Sequence, residues 1–189
     1  MPRQRILPHI IMGVISACDT RVTGKQITDY VYREIGEFWQ VAHSQVYPEL
    51  KRMVKEGTLE CHPVPDNDKE KHYTLTTQGR EKLEEWLAVP NEETPQQKDI
   101  FSLKMFFIRT MDDERITGLL EGQIILLEKH LAHLLDRKEC LFSSEDMITE
   151  NYGHYLVLER AIARNEAQLE WLKRTLSQHT GKSYVPLDQ

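Results

Sequence analysis

Apolar residues recur along this chain with two different periods, and the places where the period changes divide it. Residues 6–17 are apolar enough for a first buried helix. Thr23 and Gln26 form a capping box, a hydroxyl and an amide placed to satisfy each other's backbone N–H. They predict a second helix running to about Ile35, with Gly36 positioned to end it. Across residues 43–57, Val46, Leu50, Met53 and Val54 keep the three-to-four spacing of one buried stripe, while Gln45, Tyr47, Lys51, Arg52 and Lys55 fall mostly on the other flanks. The Ser44 region opens this third helix, and Pro48 is expected in or near its first turn, where a missing N–H costs least.

The period then shortens to two. Residues 58–64 and 71–76, the latter containing Tyr73, flank the polar run 65–70, the pattern of a two-stranded hairpin with a long polar tip. A short helix followed by such a hairpin predicts a winged helix-turn-helix, a DNA-reading module. Thr76 or Thr77 can cap a further helix through Leu83, Trp86 and Leu87 to Val89. The Pro- and Glu-rich run that follows reads as a linker, so the expected division is residues 1–89, linker 90–97 and residues 98–189.

The second part carries no strand signal. Residues 100–108 are apolar on most sides, with Phe101, Leu103, Met105, Phe106 and Phe107, and predict a helix buried by more than one neighbour. Asp112 or Asp113 can cap a long helix in which Ile116, Leu120, Ile124, Leu127, Leu131 and Leu134 are spaced 4, 4, 3, 4, 3. A last helix sets Tyr155, Leu158, Ile162, Asn165, Leu169, Leu172 and Leu176 at 3, 4, 3, 4, 3, 4, a heptad seam interrupted by one polar residue. Long helices with seams and little else to bury them call for a partner, and a second copy is the natural one. Phe101, Met105, Leu158, Ile162, Asn165, Leu169, Trp171, Leu172 and Leu176 are the candidate dimerisation residues. The fold class is therefore mostly α, a winged helix-turn-helix with a two-stranded wing joined to a long-helix, coiled-coil-like dimerisation domain.

Particular residues add a family. Tyr47-Pro48-Glu49-Leu50, the Glu56-Gly57 turn, and Tyr73-Thr74-Leu75-Thr76 with Gly79 and Arg80 behind it occur in order, without large gaps, over residues 5–88. Together they resemble the PadR family of bacterial transcriptional regulators. Phe38-Trp39 shortly before residues 43–47, and the helical C-terminal half with Trp171 near its end, resemble the AphA-like branch, whose C-terminal region is called the virulence activator alpha domain. The resemblance implies a homodimer on a (pseudo)palindromic promoter site and gives Tyr47 the role of a DNA-backbone contact. In some relatives aromatic residues near the dimer centre line a pore for flat ligands. Trp171, Phe106, Phe107 and Tyr155 are thus candidate walls for an unknown small-molecule effector, although interface packing already explains an aromatic at a seam by the area it buries.

Charge changes the picture less than it first suggests. The chain of 189 residues has a net charge of −6, but residues 1–88 hold 12 Lys+Arg against 13 Asp+Glu, so the acidity sits mainly in the rest. DNA binding needs a local cationic face, not a basic whole. Arg3, Arg5, Lys25, Lys51, Arg52, Lys69 and Lys71 are the candidates, joined by Ser44, Gln45 and Tyr47 at the start of the third helix. Arg and Lys neutralise phosphates or bond guanine edges, Gln can pair with adenine, and a Tyr hydroxyl is a compact phosphate donor. Phe38 and Trp39 fit a packing shelf ahead of that helix, since a duplex offers few exposed base faces for stacking. Asp66, Asp68 and Glu70 make the wing tip a weak phosphate clamp.

Other chemistry finds little support. His130 and His133 lie one helical turn apart without the third and fourth ligands of a structural zinc site, so no metal is expected. No nucleophile elbow, P-loop, HExxH or GxGxxG occurs, which argues against an enzyme or a cofactor. Cys18, Cys61 and Cys140 are far apart and form no CxxC pair, suiting reduced cytoplasmic thiols. Residues 1–15 superficially suggest a signal peptide, but Pro8 and His9 interrupt them and no small-residue cleavage site follows. No apolar run approaches a membrane span. The main alternative to a DNA regulator is a helical adaptor that uses the winged helix to bind protein.

Overall fold

The computed structural model describes residues 5–18, 21–35, 39, 42–64, 67–92 and 99–181. Contacts divide the chain into two units, Met1–Pro95 and Gln96–Gln189.

In the first unit, α1 (Leu7–Ala17) buries Ile11, Met12, Val14 and Ile15. A two-residue strand β1 (Val22–Thr23) leads directly into α2 (Gly24–Tyr30). The capping box is formed: Gln26 N–H donates to Thr23 Oγ1 at 3.1 Å, and Thr23 N–H to Gln26 Oε1 at 2.8 Å. The helix predicted to reach Ile35 does so with a change of pitch, because Val31–Ile35 is a π-helical turn. Trp39, expected on a packing shelf, is 46% exposed, and Phe38 lies outside the described residues.

Helix α3 (His43–Lys55) buries Val46, Leu50 and Met53, the stripe read from the sequence. Pro48, expected in or near the first turn, is the sixth residue of the helix, at the start of the second turn. The Ser44 carbonyl therefore has no i+4 N–H to accept. Ser44 and Pro48 are both exposed, so water can supply that bond. The helix ends with Gly57 N–H donating to the Val54 carbonyl at 3.1 Å and Thr58 N–H to the Met53 carbonyl at 3.0 Å. Gly57 has φ 76°, the left-handed value this closure requires.

Strands β2 (Leu59–Val64) and β3 (Asn67–Leu75) form the wing. The sheet has three strands and not two: β1 pairs antiparallel with β3, in the order β1-β3-β2, matching Val22 to Tyr73 and Thr23 to His72. Two residues are too few to display a period. Strand β3 also starts four residues before the predicted position 71, within the expected polar tip. The backbone ladder holds an arm like this without an apolar face. Pro63 sits on the edge strand β2 beside the register shift, where a missing N–H breaks least. Thr76 opens α4 (Thr77–Ala88), accepting from Gly79 N–H at 3.0 Å while donating to the Gly57 carbonyl at 2.7 Å. His9 of α1 stacks on Trp86 of α4, with ring centroids 4.8 Å apart. Leu50, Ile11, Ile27, Leu59, Tyr73 and Leu83 belong to one shared core.

The second unit begins with α5 (Ile100–Phe106), opened by Asp99 accepting Phe101 N–H at 2.9 Å. This helix was expected to be buried on several sides, and within the chain it is not. Phe101 and Ile108 pack inward, whereas Ile100, Leu103, Phe106 and Phe107 are exposed, Phe106 by 80%. Helix α6 (Arg115–Leu141) follows, with Asp113 holding both the Arg115 N–H at 3.0 Å and its guanidinium at 2.8 Å. Those hydrogen bonds bring the Asp113 carboxyl down to about 2. A short helix α7 (Glu145–Glu150), not foreseen from the sequence, precedes α8 (Tyr152–Thr180).

Helices α6 and α8 form an antiparallel pair, and their two seams fill each other. Ile116, Leu120 and Ile124 pack with Leu169, Leu172 and Leu176, while Leu134 and Phe142 pack with Leu158 and Ile162. Leu158, Ile162, Asn165, Leu169, Leu172 and Leu176, expected at a subunit interface, are buried to between 2% and 7% exposure by their own chain. Asn165 donates from Nδ2 to the Leu127 carbonyl at 3.3 Å, and its buried Oδ1 has no hydrogen-bond partner among the described residues. Trp171 stays 44% exposed, and Phe101 and Met105 are half-buried. Among the described residues no helix is long and apolar enough to cross a membrane.

Candidate nucleic-acid interface

Three elements of the first unit meet at one groove: the start of α2, the outer flank of α3 and the root of the wing. The groove, about 570 Å³, is lined by Gly24, Lys25, Tyr47, Lys51, Lys71 and Tyr73 among others. Tyr47 and Lys51 are one helical turn apart on α3 and share a face. Capping by Thr23 brings Lys25 to the same place, and the pairing of β1 with β3 brings Lys71. Tyr47 is half exposed, and all three lysines are exposed. Glu70 contributes a single carboxylate against them. Ammonium groups from three separate elements around a phenol make a site for an anion of the phosphate class.

Tyr73 lies at the back of the groove. Burial pushes its phenol above the usual tyrosine value, and the neighbouring Cys61 and Tyr47 add to the shift. It stays a neutral donor.

Other sequence-predicted cations are placed differently. Arg52 leaves the groove to its neighbour: its guanidinium pairs with the Glu49 carboxylate, with one contact at 3.2 Å, and with Glu56. Arg5 reaches Glu49 as well, at 3.5 Å. Glu49 is only 6% exposed and needs both cations. Arg5 and Arg52 are thus engaged by carboxylates of α3, apart from the lysines of the groove with which the sequence grouped them in one cationic face. Ser44 and Gln45 are exposed at the start of α3. Arg3 and the Lys69 side chain lie outside the described residues.

Two residues of the site were not picked out from the sequence. Glu49 belongs to the Tyr-Pro-Glu-Leu motif, yet its role as an ion-pair hub depends on burial, which spacing alone does not give. Gly24 had a visible signal: it stands at the first helical position, inside the capping box, where a glycine has no helical reason to be.

The aromatic residues considered as pocket walls do not converge within one chain. Tyr155 packs edge-on against Phe142 at 5.4 Å, whereas Trp171 lies 16 residues further along α8, roughly 24 Å at 1.5 Å per residue. Among the described residues no three His, Cys, Asp or Glu side chains gather as a metal-binding set.

A second helix packed against the third, with a three-stranded wing whose root carries Lys71, defines a winged helix-turn-helix DNA-binding protein. Known proteins give the same answer. Residues 11–85 match the "Transcriptional regulator PadR-like family", and residues 97–180 match "Virulence activator alpha C-term". The negative transcriptional regulator PadR of Bacillus subtilis (strain 168) is 32% identical over 179 residues, covering 92% of this chain and 97% of that relative. The crystal structure of Bacillus subtilis PadR in complex with operator DNA matches with a TM-score of 0.78 at 33% identity, over 93% of this chain and 99% of the other. The Vibrio cholerae virulence activator AphA matches with a TM-score of 0.71 at 27% identity, over 93% and 98%. The chain belongs to the PadR-like family and has the architecture of its AphA-like members. It is a DNA-binding transcriptional regulator and not an enzyme.

Proposed function

We propose that the protein acts as a homodimer on an imperfectly palindromic promoter site, with residues 1–89 as the reading head, 90–97 as linker and 98–189 as the dimerisation domain. The observation that carries this reading is the groove itself, where Tyr47, Lys25, Lys51 and Lys71 from three elements face outward together. Helix α3 enters the major groove, Ser44 and Gln45 approach base edges from its first turn, and Tyr47 with the lysines holds the backbone. The work takes place in the bacterial cytoplasm. The sign of regulation follows from where the site lies relative to the polymerase.

The second copy is held by apolar surface the chain leaves uncovered: Leu103, Phe106 and Phe107 beside or on α5, and Leu156, Val157 and Trp171 on α8. Bacillus subtilis PadR has also been solved in complex with p-coumaric acid, at 32% identity and a TM-score of 0.77. A small aromatic effector is proposed here by that likeness.

A retardation assay with the promoter of the protein's own gene, at two salt concentrations, tests the reading. Binding should be sequence-selective and should weaken steeply with salt. Binding that ignores sequence and salt alike would favour the adaptor role instead.

A further inference from the structure

Gly24 is the first residue of α2, and its backbone φ does not lie in the left-handed region that would demand glycine. Glycine is also the poorest helix former apart from proline. Its reason lies across the groove. A Cβ built on Gly24 would stand 2.7 Å from Cε1 and 3.3 Å from Cζ of Tyr47, and 3.5 Å from Leu50 Cδ1. The Leu50 distance is ordinary contact, so the core has room. The crowding falls on the end of the Tyr47 ring that carries the hydroxyl. Gly24 is buried and Tyr47 is half exposed, so the ring lies across the glycine with its other side open to the groove.

We infer that Gly24 is a positioning residue for operator binding: the missing side chain is the seat on which the Tyr47 phenol rests, level with Lys25, Lys51 and Lys71. A methyl at this position lifts the ring away and takes the hydroxyl off the DNA backbone, while α2 and the core persist. This rests on the proposed role of Tyr47 as a backbone contact. It goes beyond that role by assigning a DNA-binding effect to a residue that itself offers the DNA no side chain.

A double-mutant cycle on the full-length protein tests it, using Gly24→Ala, Tyr47→Ala and the double variant. The probe is a duplex carrying the site that the wild type protects upstream of its own gene, and thermal melts run alongside. Gly24→Ala should melt at or above the wild-type temperature yet bind about tenfold or more weakly, the scale of one hydrogen bond to a charged group. Tyr47→Ala should lose at least as much, and adding Gly24→Ala to it should change nothing, because no ring remains to displace. Wild-type affinity in Gly24→Ala would overturn the inference. So would a loss that adds fully to that of Tyr47→Ala, or a Gly24→Ala chain that fails to fold, which would place the glycine in the service of the core. Wild-type affinity in Tyr47→Ala would overturn the backbone contact itself, and the inference with it.

Discussion

Lys51 and Arg52 are neighbours on α3 and differ in what holds them. Lys51 is exposed on the groove, while Arg52 is locked between the buried Glu49 and Glu56. Lys51→Ala should leave the melting temperature unchanged and make the dependence of log K on log salt shallower by about one unit. Arg52→Ala should do the reverse. It strands Glu49 with only the Arg5 contact and should cost about 1–3 kcal/mol of stability with the salt slope intact. Melts and salt titrations of the two variants, run side by side, separate the roles; a salt-slope change in Arg52→Ala would return it to the DNA face. Both residues lay off the apolar stripe in the sequence, which is as far as periodicity reaches. Spacing tells how far a side chain stands from the core, not which carboxylate waits there.

At the scale of elements, α6 and α8 show the same limit in another form. The seams at Leu120–Ile124 and Leu169–Leu176 were legible because a 3-4 repeat is set by helix geometry. What fills a seam was not legible, since a repeat reads the same whether its partner is another chain or the next helix of its own. Shorter elements escaped for a different reason. Two residues of β1 and the six of α7 are below the length at which any period shows, and the π-helical turn Val31–Ile35 changes hydrogen bonding without changing composition. Strand β3 was found and cut short, because polar residues in a projecting arm look like a loop. These findings separate two substitutions. Leu172→Asp places a carboxylate in the intrachain core and should unfold the second unit, by more than about 3 kcal/mol. Phe106→Asp, on an exposed position of α5, should leave helicity and melting of the isolated chain intact and weaken pairing between copies. Circular dichroism and sedimentation of both variants check this; a fully paired Phe106→Asp protein would move the interface elsewhere.

At the scale of the molecule, the reading head carries nearly balanced charge and the C-terminal part carries most of the acidity. The head's hold on DNA must therefore rest on a local cationic face, and in the proposed homodimer the joining of two heads multiplies it. A fragment ending at Ala88 keeps α3, the wing and their core. It should bind an intact palindromic site at least about 100-fold more weakly than the full-length chain, and a half-deleted site about as well as an intact one. Titrating both proteins onto both duplexes makes the comparison. Equal affinities on the intact site would mean that the C-terminal helices do not pair heads.

The uncovered face of α5, with Phe106 and Phe107 turned to solvent in the single chain, also bears on dosage. If pairing is what covers that face, the active species forms by mass action, and its amount depends on how much protein the cell holds. Where single chains outnumber pairs, pairs accumulate with the square of the chain's concentration, so doubling synthesis raises the promoter-binding species about fourfold. The promoter then responds as a threshold to the regulator's own abundance, and a few exposed phenylalanines set where that threshold lies.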